Sequence, residues 1–272
     1  MYDVAIIGTG PAGLSAAITL KIRNKNLILF GEKDLSKKIR KAEKISNYPG
    51  FPEISGEELA ERFSEHLNKM NIDINDSFIT AIYAMGDYFS LTNRINEMFE
   101  AKSVILATGV NFGKVLKGEE EFLGRGVSYC ATCDAPLYRG KKVAVIGTGE
   151  EAEKEAEFLK EIAEDVIYIP MISGVEIEGD MKVKRIVVNG ETREVDGVFL
   201  IRDSVSPQNL VPGLAVKERY IEVNKKMETN ISGCFACGDV TGIPFQYIKA
   251  AGEGNIAALS AVEYLNKVSK NK

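Results

Sequence analysis

The 272-residue sequence has no tryptophan, one histidine, four cysteines and eight prolines. Four cysteines are too few for a disulfide scaffold. The single histidine, His66, sits in a polar helical pattern and reads as a surface residue, so a histidine base is not expected. A surplus of basic charge is also missing: 34 Lys and Arg face 39 Asp and Glu, a formal net charge of -5. A general role on nucleic acid or an anionic membrane therefore has no electrostatic support. The apolar stretch Val4 to Leu20 is broken by three glycines and a proline and falls short of the ~20 residues that a spanning helix needs. No basic segment precedes it, so a secretory signal is not expected. What remains is an ordinary globular composition, 45% hydrophobic and 27% charged, long enough for two domains at ~150 residues each. A cytoplasmic location follows from the same features.

Two glycine turns organise the chain. Tyr2 to Ile7 reads as a buried strand, Gly8-Thr9-Gly10-Pro11-Ala12-Gly13 as a turn and Leu14 to Ile22 as a helix. In that context Gly8 permits the tight turn, Gly10 lets a pyrophosphate approach the backbone, and Gly13 allows close helix packing. The helix N-terminus faces the phosphates. A second strand, Asn26 to Phe30, leads to Glu32, 24 positions after Gly8, where an acid can accept hydrogen bonds from a ribose.

The second unit has a strand at Lys142 to Ile146, the turn Gly147-Thr148-Gly149-Glu150-Glu151-Ala152, a helix from Glu150 to Glu164 and a strand from Asp165 to Ile169. Counting the same 24 positions from Gly147 reaches Met171, in Pro170-Met171-Ile172-Ser173-Gly174. That segment offers neither an acid for a ribose nor arginines for a 2′-phosphate. Glu150 and Glu151 suit the helix dipole but repel a pyrophosphate. This unit reads as a dinucleotide fold that has lost its dinucleotide. Beyond it, Val175 to Glu178, Lys184 to Val188 and Thr192 to Ile201 read as strands joined by hairpin turns. The chain then delivers Asp239 from a buried strand end at Cys234 to Gly238, followed by a helix from Ala250 to Asn266 opening on Gly252 and Gly254.

Cys130-Ala131-Thr132-Cys133 has spacing that suits redox chemistry or metal binding. Cys234 and Cys237 repeat it, but 100 residues separate the pairs, whereas zinc ribbons keep ~15–20 between them. Cys237 reads as a small buried residue and no metal is expected.

The glycine turn at 8 to 13, Asn47-Tyr48-Pro49-Gly50, Ala107-Thr108-Gly109, Cys130-Ala131-Thr132-Cys133-Asp134, Gly238-Asp239 and Gln246 together resemble the low-molecular-weight flavin thioredoxin reductases, over nearly the whole chain. The resemblance implies an α/β fold of two Rossmann-like three-layer domains, the second inserted in the first and trimmed. The FAD domain would span 1–113 and 238–272, with the inserted domain at 114–237 and a hinge strand at Lys114 to Glu120. FAD would be held by Gly8, Gly10, Pro11, Ala12 and Gly13 at the pyrophosphate and Glu32 at the ribose. Asn47, Thr108 and Gly109 would surround the cofactor, with Asp239 on the ribityl chain and Gln246 at the flavin ring. Cys133 would face the flavin, Cys130 would attack a thioredoxin disulfide, and Asp134 would move the proton. A homodimer is implied as well.

Three departures narrow the family. The basic motif that grips NADPH is absent at 170–174, Ser36-Lys37-Lys38 stands where the family has Gly-Gly-Gln, and Ala135 stands where glycine is usual. The pattern resembles the ferredoxin-dependent flavin thioredoxin reductases, in which the pyridine-nucleotide site has decayed. Low-potential ferredoxins near about -400 mV would leave roughly 6 kcal/mol per two-electron transfer to a thioredoxin near about -270 mV. Residues 33–44 carry Lys33, Lys37, Lys38, Arg40, Lys41 and Lys44 against Asp34 and Glu43. This basic run suits an acidic ferredoxin or, equally, solvent. The alternatives are an NADPH-dependent thioredoxin reductase with an atypical nucleotide site, and a flavin redox sensor that turns over no substrate.

Overall fold

The computed structural model describes residues 1–40, 42–109, 116–119, 121–128, 131–170, 174–201, 206–218 and 220–270, with the side chains of Lys37, Lys38, Thr132, Cys133, Glu150 and Glu151 outside that description. Contacts within the chain divide it into two compact units. The first is Met1–Asn93, Glu97–Val110 and Ser206–Lys272, and the second is Arg94–Asn96 and Asn111–Val205.

The first unit is built on the strand Tyr2–Ile7, whose Val4 to Ile7 are all buried, the continuous apolar run expected of a parallel strand covered on both faces. It pairs in parallel with Leu27–Phe30 on one side and Met98–Leu106 on the other. Met98–Leu106 divides its far edge between two partners. Its first residues pair antiparallel with Phe89–Asn93, and Val104 to Leu106 pair in parallel with Cys234–Ala236. Val4 and Ile6, alternating on one sheet face, share a core with Leu14, Leu20, Leu59, Phe235 and Ala257. That core joins the helices Pro11–Ile22, Gly56–Lys69 and Tyr247–Lys270. The first and last of these approach closely because Gly254 has no side chain: a Cβ there would lie 2.0 Å from the Ala12 carbonyl oxygen.

The helix Gly56–Lys69 starts at a capping box in which Ser55 Oγ accepts from the Glu58 N–H and the Glu58 carboxylate accepts from the Ser55 N–H, satisfying two end groups reciprocally. His66 lies exposed on this helix.

The second unit has three layers. Its parallel sheet runs Val127–Ser128, Gly197–Ile201, Lys142–Gly147, Asp165–Ile169. Val143, Val145, Phe199 and Ile201 face a core with Ala131, Ala152, Ala156 and Leu159 of the helical layer. Ala144, Ile146, Val198 and Leu200 face the opposite way, against Val175, Ile177, Val183 and Ile186. These last belong to an antiparallel sheet of Val175–Gly179, Val183–Val188 and Glu191–Glu194. A small sheet thus covers the face where a crossover helix would otherwise lie.

Several sequence expectations need correction. The first helix begins at Pro11, because proline at the first helical position needs no N–H partner. The second strand begins at Leu27. The second unit's helix ends at Lys160, four residues early, where Ile162 and Ala163 turn back onto Leu159. Thr192 to Ile201 is two strands in two sheets, separated where the Asp196 carboxylate accepts from the Lys142 N–H at 3.1 Å. The last helix is Tyr247–Lys270, with Gly252 and Gly254 inside it. Residues 206–237, read as part of the inserted domain, group with the first unit because Cys234–Ala236 joins its sheet. Of the expected hinge strand, Lys114, Val115 and Glu120 lie outside the described residues. Gly118 forms a turn at φ +84° against the Ile177 carbonyl. Among the described residues no helix is long and apolar enough to cross a membrane.

Candidate functional site

The first glycine turn is sealed beneath and open above. A Cβ on Gly8 would lie 2.2 Å from the Ala107 carbonyl oxygen, and one on Gly13 would lie 1.9 Å from that of Gly8, whereas a Cβ on Gly10 would meet nothing within 4 Å. Gly8, at φ +121°, takes a conformation that side chains disfavour. Thr9, buried, donates its hydroxyl to the Glu32 carbonyl at 3.2 Å and ties the turn to the adjacent strand end. The helix that follows has no acid in its first turn, so its N-terminal N–H groups point into space free of negative charge. A phosphate-bearing dinucleotide fits this arrangement at Gly10.

A cleft of about 350 Å³ opens there. Of the residues predicted from sequence, Gly10, Pro11, Ala12, Asn47, Gly109, Asp239 and Gln246 line it. Asn47 Nδ2 donates to Gln246 Oε1 at 2.6 Å across 199 positions of sequence. Gly8 and Gly13 shape the turn from below. Glu32 is exposed at its strand end and Thr108 half-buried, and neither lines the cleft.

Ser36, Lys44, Ser46, Phe245 and Tyr247 also line the cleft and were missed. Phe245 and Tyr247 flank Gln246, so adjacency was the available signal. Burial, and next the charge of Asp239, push the Tyr247 phenol above its ordinary range.

The basic run 33–44 is moored to the first unit by apolar and ionic contacts. Leu35 and Ile39 are fully buried, and Gly56 packs on the Ile39 carbonyl, where a Cβ would lie 1.8 Å away. Arg40 pairs with Glu57 and donates to the Asp34 carbonyl, and Lys44 pairs with Glu53. Lys41 and the side chains of Lys37 and Lys38 lie outside the described residues.

In the second unit Cys130 and the Cys133 side chain lie outside the described residues. The short helix Ala131–Asp134 carries the Cys133 backbone, and Asp134 is half-buried. Burial, followed by the charges of Asp134 and Asp196, raises the Tyr138 phenol. Ala135, where glycine was expected, buries its methyl completely in the core with Val143 and Phe199. The glycine turn here is pinned at Gly147, where a Cβ would lie 2.4 Å from the Ile201 carbonyl, and open at Gly149, at φ +89°. Met171 lies outside the described residues.

Cys234 and Cys237 are buried in the first unit. Burial pushes the Cys234 thiol up to about 12, against a smaller opposing effect of its bond with Thr229. Burial, with the Glu253 charge second, raises Cys237 as well. Both are thereby poor nucleophiles.

The chain matches the pyridine nucleotide-disulphide oxidoreductase family over residues 2–187 and 164–254. It is 51% identical to a solved ferredoxin-flavin thioredoxin reductase of Clostridium acetobutylicum, with 98% of each chain covered and a TM-score of 0.90. A thioredoxin reductase of Treponema pallidum is 35% identical, with 97% of each chain covered. One of Bacillus subtilis is 30% identical over 99% of this chain and 96% of its own.

Proposed function

Because the chain belongs to the pyridine nucleotide-disulphide oxidoreductase family and is a flavoprotein of thioredoxin reductase type, we propose that it moves electrons from a ferredoxin-like donor to oxidised thioredoxin, with FAD as cofactor. Gly10, Pro11 and Ala12 would hold the pyrophosphate over the helix N-terminus. Glu32 would reach the ribose, Asp239 the ribityl chain, and Asn47, Thr108, Gly109 and Gln246 the remaining cofactor surface. Bound FAD exchanges electrons singly or in pairs, which side chains alone cannot do.

The remaining chemistry belongs to Cys130, Cys133 and Asp134. Two electrons and two protons open the Cys130–Cys133 disulfide to a dithiol. The Cys130 thiolate attacks one sulfur of the thioredoxin disulfide, forming a mixed disulfide and expelling a thiolate. Cys133 then attacks Cys130 Sγ, releasing thioredoxin as a dithiol and restoring the chain's own disulfide. Asp134, next to the pair in sequence, gives or takes the proton. In this reading the enzyme is a cytoplasmic homodimer, and the acidic donor docks near Lys37, Lys38 and Lys41.

The choice of donor is carried by the second glycine turn, where Glu150 and Glu151 follow Gly149 and the segment 170–174 has no charged residue. The likeness to the Clostridium acetobutylicum protein supports the same choice. The test is anaerobic flavin bleaching with NADPH, NADH and reduced ferredoxin in turn, followed by oxidised thioredoxin. Bleaching by ferredoxin alone, slowed by salt and by replacing Lys37, Lys38 and Lys41 with Glu, is expected. Bleaching by micromolar NADPH overturns the reading, and bleaching with no thioredoxin turnover makes the protein a sensor.

A further inference from the structure

Lys249 stands where a helix suits a cation least. It is the third residue of Tyr247–Lys270, among N–H groups that favour negative charge. Its ionic partner Glu253 lies four residues onward, the weaker order for such a pair. Both side chains are largely buried, 19% and 18% exposed, with Nζ 3.2 Å from the carboxylate. A pair so placed adds little to its helix, and burial costs both charges solvation.

The other bonds of the pair run to a single turn. Lys249 Nζ donates to the carbonyls of Gly238 at 3.1 Å and Gly242 at 2.8 Å, and to Thr241 Oγ1 at 3.2 Å. Glu253 Oε2 accepts from the Gly238 N–H at 2.9 Å and the Thr241 hydroxyl at 3.0 Å. Thr241 Oγ1 also reaches the Gly238 carbonyl at 2.7 Å. The pair therefore grips both ends of 238–242, the turn that carries Asp239. Gly238 in that turn adopts φ +83°, and a Cβ on it would meet the Ala12 side chain at 2.9 Å. Asp239 lines the cleft, whereas Lys249 and Glu253 do not.

We propose that Lys249 and Glu253 are positioning residues for FAD, holding the 238–242 turn in its binding shape before the cofactor arrives. Such preorganisation raises affinity by removing an ordering cost from the binding step. The inference rests on the cleft holding FAD.

Titration of apoprotein with FAD, read by flavin fluorescence and visible circular dichroism, tests it. Lys249→Met and Glu253→Gln are each expected to weaken binding about tenfold, the scale of a lost hydrogen bond to a charged group. The double variant should bind no worse than either single variant, and Lys249→Arg should recover most of the loss. Lys267→Met, which removes the exposed Lys267–Glu263 pair on the same helix, should leave affinity unchanged. Wild-type affinity in the clamp variants overturns the proposal, as does a lower apoprotein melting temperature with unchanged affinity, or additive losses in the double variant. Where Lys249→Met does not fold, Thr241→Val removes the shared hydroxyl, and unchanged FAD affinity there overturns it equally. Failure of the wild-type apoprotein to bind FAD sinks the cofactor reading instead.

Discussion

Each unit carries one glycine turn and one Cys-x-x-Cys pair, and the two motifs take opposite routes in the two places. In the first unit the turn opens into a cleft at Gly10, while Cys234 and Cys237 are sealed in the core. In the second unit the turn leads into Glu150 and Glu151, and the family assigns the reactive pair to Cys130 and Cys133. Spacing is the same in both copies. What separates them is the surroundings: the charge that follows a glycine turn decides whether an anion is welcome, and burial decides whether a thiol ionises.

The sharpest break of that contrast comes from the cysteines. Cys133→Ser is expected to abolish thioredoxin reduction while the flavin spectrum persists, and Cys237→Ala to leave turnover within about twofold, since a buried thiol acts as a small apolar residue. Loss of turnover in both variants would erase the distinction. The turns come next. Gly13→Ala forces a methyl into the Gly8 carbonyl, and overpacking of ~1–3 kcal/mol should weaken FAD binding by about tenfold to hundredfold. Ala152→Gly, at the matching position of the second turn, should leave FAD affinity unchanged in the same titration.

The smallest effect is on stability in alkali. An unfolded cysteine loses its proton near its ordinary 9.0, whereas folded Cys234 keeps it to about 12. Between those values the folded chain binds the extra proton, so stability is full below 9 and falls as pH rises, by about 1.4 kcal/mol per pH unit for this thiol. Urea midpoints measured across the alkaline range should fall, and Cys234→Ala should flatten the decline. A slope unaffected by Cys234→Ala would remove this thiol from the account.

The strand–turn–helix units were legible because their signals are local: a buried apolar run, glycines at fixed offsets and a helix behind them. Seven cleft residues followed from motif matches, yet Ser36, Lys44 and Ser46 entered through the chain path, which no short motif records. The break inside 192–201 was visible in the change from Glu191-Thr192-Arg193-Glu194, all exposed, to Gly197 to Ile201, all buried. That the two halves join different sheets was not, since pairing partners lie far away. Gly252 and Gly254 suggested a helix start because glycine is costly inside a helix. Close contact with the Ala12 carbonyl explains Gly254, a tertiary cause absent from the local pattern.

The divided edge of Met98–Leu106 has a consequence for how the chain is made. Val104 to Leu106 wait for Cys234–Ala236, which leave the ribosome about 130 residues later, an interval on the order of ten seconds at ~5–20 residues per second. Until then the nascent chain carries an open strand edge, a template for unwanted pairing. Asp239 and Gln246 emerge only after that edge is covered, so cofactor loading belongs to the finished polypeptide. Cells translating it need either a chaperone at that edge or a spacing between ribosomes that keeps two such edges apart.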